Sequence, residues 1–166
     1  MLPVSACNDS SFFMGEEIGA QKPYKFDTFI NNREDLAGER AGKGAKMFRF
    51  YQDAIRFSRR HPAARSHEID IVHALGTNRV IAFTRSAGSD RLLIVASLRN
   101  EPFLDGYVIQ TDSARLPDGL WREVFNSDAS IYGGKNIGNF GADISAANGR
   151  FQTRIPANSF LIFQRL

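Results

Sequence analysis

One cysteine, Cys7, stands among 166 residues, so the chain has no second thiol for an intrachain disulfide. A reducing compartment is the expected setting. No run approaches the roughly 20 apolar residues of a membrane-spanning helix, and no basic start followed by an apolar core marks a signal peptide. The expectation is a soluble, cytoplasmic protein without membrane contact. Histidine is scarce too. His61, His67 and His73 stand six apart, a spacing that suits neither a helical metal pair nor a metal hairpin, and no metal site is expected. No serine lies in a G-x-S-x-G elbow or a comparable nucleophile setting.

Two features invite a ligand reading and fail on chemistry. The run from Gly38 to Gly44, G-E-R-A-G-K-G, has one residue too few before Gly42-Lys43 for a phosphate loop. Gly44 stands where a magnesium-binding hydroxyl belongs, and no apolar strand leads in. No nucleotide and no other cofactor is expected. The net charge is +3, and its bases crowd between Arg40 and Arg60, but Glu34, Asp35, Glu39 and Asp53 are interspersed with them. That mixture describes a solvated helix face rather than a nucleic-acid track.

What is present divides at about residue 65. Residues 11–19 form a short apolar, strand-like run stopped by glycine, and residues 20–44 are polar and read as one long loop. Ala45 to Arg60 is the strong helix: Met47, Phe50, Tyr51, Ala54 and Phe57 follow three-and-four spacing, Phe48 and Ile55 widen that face, and Pro62 prevents continuation. From Ser66 the period becomes two. Strands are expected near residues 69–73, 79–85, 91–98, 107–110, 120–125, 150–155 and 159–164, separated by glycine, proline and asparagine turns. Strict alternation puts Ile69, Ile71 and His73 on one face, and Trp121, Glu123 and Phe125 on one face. The fold class expected is α+β: a long amphipathic helix followed by a mainly antiparallel sandwich of about 100 residues. Residues 1–65 and 66–166 are the expected units.

The most informative segment is Leu120 to Asn139, L-W-R-E-V-F-N-S-D-A-S-I-Y-G-G-K-N-I-G-N. A strand runs into a corner of side chains that bond the backbone, and Gly133, Gly134 and the Gly138-Asn139 pair offer cheap positive φ. Trp121 could stack on the C–H face of a sugar, but packing is the better reading, since neither face of its strand is purely apolar. Tyr132, flanked by turn residues, is the better exposed aromatic, although its ring could equally staple the loop.

These words resemble the C-terminal all-β domain of 1,4-α-glucan branching enzymes, members of the α-amylase family of glycoside hydrolases. Phe12 to Gly19, F-F-M-G-E-E-I-G, resembles the end of the eighth strand of that family's (β/α)8 barrel, and the resemblance runs from Phe12 to Leu166. It implies that residues 45–60 are the last barrel helix and residues 1–65 a barrel remnant, since the chain is too short for a barrel of about 250 residues. It also implies that the catalytic carboxylates, which the family places on earlier strands, are absent, and that the chain alone is no enzyme. Glu17 matches the family glutamate of F-M-G-x-E-x-G, which implies a supporting place near the barrel mouth. Adjacent Glu16 and Glu17 on a strand would point to opposite faces and could not flank one glycosidic bond.

The resemblance implies an accessory role in α-glucan and glycogen metabolism. Because F-M-G-E-E is shared with sister activities, the alternatives are a piece of another glucan hydrolase or trehalose-forming enzyme, or an independent α-glucan-binding module. Expected partners are the missing catalytic barrel or a second copy meeting the exposed helix face, with α-glucan as a possible ligand. A truncated gene product is a further reading, expected to self-associate or to have a disordered N-terminus, because apolar surface is left bare near Phe48, Tyr51 and Ile55 or near Phe12 to Met14. Glu17, Trp121 and Tyr132 are the candidate glycan or interdomain contacts.

Overall fold

The computed structural model describes residues 13–22 and 35–166. Among them the chain forms α1 (Leu36–Ala41), α2 (Ala45–Arg60) and eight strands: β1 (Ile69–Leu75), β2 (Val80–Ala87), β3 (Asp90–Ser97), β4 (Phe103–Gln110), β5 (Gly119–Asn126), β6 (Asp143–Ala146), β7 (Arg150–Ile155) and β8 (Ser159–Arg165). Every ladder is antiparallel. Six strands make one sheet in the order β1-β2-β3-β8-β5-β6, and β4 pairs with β7 as a two-stranded ribbon.

The central strands explain the layering. β3 and β8 are apolar on both faces because both faces are covered. Leu93, Val95, Leu161 and Phe163 point toward the ribbon and pack with Tyr107, Ile109, Phe151 and Ile155. Leu92, Ile94, Phe160 and Ile162 point the other way and meet Ala54, Phe50 and Phe57 of α2. The expected sandwich is present in an unequal form, with α2 as a third layer. A full side-chain burial of this kind contributes about 1.5–3 kcal/mol per large aliphatic or aromatic residue.

Register shifts interrupt β1, β4 and β5, and those in β5 and β1 break the alternation expected of the strands. In β5 the register shifts between Glu123 and Phe125, which inserts one residue opposite β8. Trp121 therefore faces the ribbon core and Phe125 the helix core, although two-residue periodicity puts them together. In β1 the shift lies between Ile71 and His73. Ile69 and Ile71 stay exposed while Val72 is buried and His73 reaches Tyr107, with Nε2 and the phenolic oxygen 2.7 Å apart. The Arg115 guanidinium bonds the Asp70 carboxylate and the Ile71 carbonyl, covering the open edge of β1.

Three further corrections fall before the sheet and at its far edge. The described part of the strand-like run is a 3-10 turn, Glu16–Ile18, between Gly15 at φ 92° and Gly19 at φ 66°. Glu16 accepts from the Phe13 amide at 3.0 Å and Glu17 from the Gly15 amide at 2.9 Å, so local side-chain bonds replace ladder bonds. Within the stretch read as loop lies α1, started by Asp35, which accepts from the Gly38 amide at 3.0 Å; residues 23–34 and Phe12 are outside the described residues. β6 was not anticipated: its four residues carry one β-branched side chain, Ile144, and its partner β5 supplies the pairing.

Gly44 joins these pieces. Its φ of −79° suits any residue, but a Cβ there would run into the carbonyl and side chain of Ile18 and the carbonyl of Glu39. The glycine is needed for close approach of the 3-10 turn to the start of α2.

Candidate functional site

The polar corner after β5 is built by side chains that replace backbone partners. Asn126 Oδ1 accepts from the Asp128 amide at 2.8 Å, while its Nδ2 donates to the Ile137 carbonyl at 3.0 Å. Asp128 accepts from the amides of Ile137 at 2.9 Å and Lys135 at 3.2 Å. A 3-10 turn, Ser130–Tyr132, ends at Gly133 with φ 94°. Gly134 sits so near the Asp128 backbone that a Cβ would overlap it. Ser127 ties the corner to β8: its amide donates to the Phe160 carbonyl at 3.0 Å and its hydroxyl accepts from the Phe160 amide at 2.8 Å.

Tyr132 leaves this corner for α2. Its hydroxyl donates to Asp53 Oδ2 at 3.1 Å, and its half-buried ring meets Phe50 edge-on at 5.4 Å and stacks on Phe125 at 6.0 Å. Burial, then the facing Asp53 carboxylate, pushes the phenol up to about 12. Burial works to raise Asp53, but bonds from Arg49, Tyr132 and Arg56 outweigh it and hold the carboxyl below its ordinary value. Of the two readings of Tyr132, the staple is the one its contacts describe.

The corner's far end rests on Glu123 and Asn139. Glu123 accepts from the Asn139 amide at 2.6 Å and from its Nδ2 at 3.0 Å; the same Nδ2 donates to Thr153 Oγ1 at 2.6 Å on β7. Asn139 Oδ1 accepts from the Arg154 amide at 3.3 Å. Gly138 is buried here, where a Cβ would press on Asn126 and the Glu123 carboxylate, so its role is space rather than the positive φ expected of it. Positive φ falls later, at Phe140 (56°) and Gly141 (74°). The Ala142 amide closes this turn on the Asn139 carbonyl at 2.9 Å. Phe140 is 73% exposed.

The candidate residues do not converge. Trp121, read as a possible glycan or interdomain contact, is fully buried in the ribbon core, and its indole nitrogen donates to the Pro117 carbonyl at 3.3 Å. The β5 bulge points it inward, so it offers no ring to a ligand. Glu17 is half-buried and turned back on its own 3-10 turn. Its neighbour Glu16 lines an open cleft of about 490 Å³ together with Met47, Tyr51, Leu98, Tyr132 and Asn158. Burial and the Glu16 carboxylate push the Tyr51 phenol up. Tyr132 alone of the three candidates borders this cleft. Among the bare surfaces expected near the helix, Tyr51 is buried and Phe48 lies under the Arg40 guanidinium at 4.2 Å, whereas Phe13, Met14, Met47 and Ile55 are exposed.

Sequence reading missed Asp53, Glu123, Asn139 and Phe140. Asp53 looked like surface charge on a helix, and its partner lies 79 positions away. Phe140 stands between Asn139 and Gly141, a turn signal around an aromatic that could have marked it. Among the described residues no three His, Cys, Asp or Glu side chains gather as a metal site, and no helix is long and apolar enough to cross a membrane. His61 instead stacks on Phe57 at 4.2 Å and lies 3.4 Å from Asp90.

Comparison with known proteins meets this architecture. Residues 71–165 match the model of the alpha amylase C-terminal all-beta domain. The 1,4-alpha-glucan branching enzyme GlgB 1 of Xanthomonas campestris pv. campestris is 31% identical over 137 residues, covering 78% of this chain and 18% of that protein. The corresponding GlgB 1 of Xanthomonas euvesicatoria pv. vesicatoria is 35% identical over 137 residues with the same coverage. The debranching enzyme of Nostoc punctiforme shares the fold at a TM-score of 0.65 and 18% identity, over 98% of this chain and 29% of that one. The chain thus spans about a fifth of the length of the curated relatives it matches. With the family match running from β1 through β8 and this level of identity to branching enzymes, the chain belongs to the alpha amylase C-terminal all-beta domain family.

Proposed function

We propose that the chain is the non-catalytic C-terminal accessory part of a 1,4-α-glucan branching enzyme and braces the catalytic portion through α2. The carrying observation is the shared core. α2 precedes the family-matched residues 71–165, yet Phe50, Ala54 and Phe57 are built into one cluster with Phe125, Phe160 and Ile162 of the sheet. On this reading α2 is the last helix of the preceding barrel, and its packing on the sheet is what ties the terminal domain to that barrel. Tyr132 and Asp53 fix their register.

A lack of catalysis by this chain alone is supported by its share of its relatives' length and by the family's placement of its carboxylates on earlier barrel strands. Under this reading the barrel is the partner. Its expected contact is the exposed pair Phe13 and Met14, in the run that resembles the end of the eighth barrel strand. The branching parent is favoured over a hydrolase or trehalose-forming parent by the identity to branching enzymes.

The test is reconstitution. Amylose incubated with the chain alone should keep its iodine absorbance. A Xanthomonas branching enzyme shortened to remove its matching C-terminal segment should lose activity or stability and regain part of it when the chain is added. Glucan turnover by the chain alone, or indifference of the shortened enzyme to it, would refute the proposal.

A further inference from the structure

Phe140 is held in an unusual position at a visible cost. Its φ of 56° places a bulky side chain in the left-handed region that favours glycine and asparagine. With Gly141 at 74° and the Ala142 amide bonded to the Asn139 carbonyl at 2.9 Å, residues 139–142 have the positive-φ pair of a type I′ turn. Strain of this kind persists where the surroundings over-determine it. Here they do: Asn139, at the base, is fastened to Glu123, Thr153 and Arg154 on two different strands. Yet Phe140 is 73% exposed, so packing returns little for the strain.

We propose that Phe140 is a stacking platform for a pyranose ring of an α-1,4-glucan chain. A pyranose presents a C–H face to an aromatic ring and hydroxyl edges to polar neighbours. The ring's setting has that form: a rigid aromatic whose turn and supporting strands are polar, with Asn139, Asp143 and Arg154 near it in the chain or bonded to its base. A protein hot spot has a different form, in which the aromatic anchor is surrounded by further contacts that exclude water. Pre-organisation of the turn lowers the ordering cost of binding, which matters where one ring supplies most of the contact. The choice of glucan rests on the branching-enzyme reading above; the platform itself rests on the turn.

The experiment gives two readouts of opposite sign. Phe140→Gly should raise the melting midpoint by a few degrees, because it relieves the left-handed strain. The same variant should lose retardation in a native gel containing soluble amylose, with affinity for maltoheptaose at least about tenfold weaker by NMR titration. Phe140→Trp should keep or increase binding, and Phe140→Leu, apolar but without a π-face, should lose it. Absence of amylose retardation for the unaltered chain, or retained binding in the glycine or leucine variant, would overturn the proposal. The two experiments have separate readouts: loss of amylose binding with reconstitution intact overturns the platform alone, and failed reconstitution with amylose binding intact overturns the accessory-domain reading alone.

Discussion

The hydroxyl of Tyr132 donates to Asp53 across 3.1 Å, joining the corner after β5 to the helix α2 over 79 positions of sequence. Arg49 at 2.7 Å and Arg56 at 2.9 Å hold the same carboxylate from its own helix. One carboxylate therefore serves both as a helix-surface ion pair and as the anchor of a distant loop. Tyr132→Phe should destabilise the chain by about 1–2 kcal/mol, the scale of a partly screened bond to a charged group. In urea unfolding, a double-mutant cycle with Asp53→Ala should show positive coupling; strictly additive effects would remove the latch.

The pH behaviour of this pair follows from the direction of its shifts. Asp53 is lowered from 3.8, so its contribution is present above that value and is lost as pH falls through the lowered one. Tyr132 is raised from 10.0 to about 12, so its contribution is complete below 10 and fades as pH rises toward 12. Tyrosinate absorbance should rise late for this residue on alkaline titration, and Asp53→Asn should bring that rise to lower pH.

His73 titrates in the opposite sense from a paired histidine. Burial holds it below 6.5, and Nε2 lies 2.7 Å from the Tyr107 hydroxyl. The unfolded chain takes up the proton first, so stability should fall as pH drops below about 6.5, through the lowered folded value. His73→Gln should flatten that part of the stability profile, and an unchanged slope would assign it to other groups.

Trp121 is the sole tryptophan and is fully buried. Its emission should be blue-shifted and insensitive to acrylamide, and amylose should leave it unchanged. Trp121→Ala should cost about 3–5 kcal/mol in thermal or urea unfolding, as expected for removal of a large core aromatic.

Gly44→Ala tests the junction ahead of the sheet. With Ile18 and Glu39 closed around the glycine, even one methyl group must displace the 3-10 turn or the start of α2. Faster proteolytic cleavage near residues 13–22, with the sheet's melting little changed, is the expected result. Equal cleavage of both proteins would show that the turn tolerates the methyl.

Strand existence was legible because the central strands carry long apolar runs between turn residues, and α2 because its apolar positions repeat at helical spacing. The run from Leu92 to Ala96 needed no tertiary knowledge to be read as part of a strand. α1 and β6 were not legible. Six residues opened by Asp35 and four residues around Ile144 hold too few side chains for a period to appear, and each forms because a neighbour receives it. The Leu120 to Asn139 words identified the family and marked a shaped corner, but not which side chains would be its surface.

By itself the sequence determined a family, a helix and a strand-rich domain, since these follow from local spacing and from words that lie next to one another. Tertiary structure decided the rest. A single extra residue in β5 sent Trp121 into the core and Phe125 to the helix, because side chains in a strand alternate and one insertion reverses every position beyond it. Folding brought Asp53 to Tyr132 and fastened Asn139 to two strands, leaving the tyrosine half-buried and Phe140 in solvent. Which aromatic faces water depends on partners far away in the chain, and no reading of neighbours along the sequence contains them.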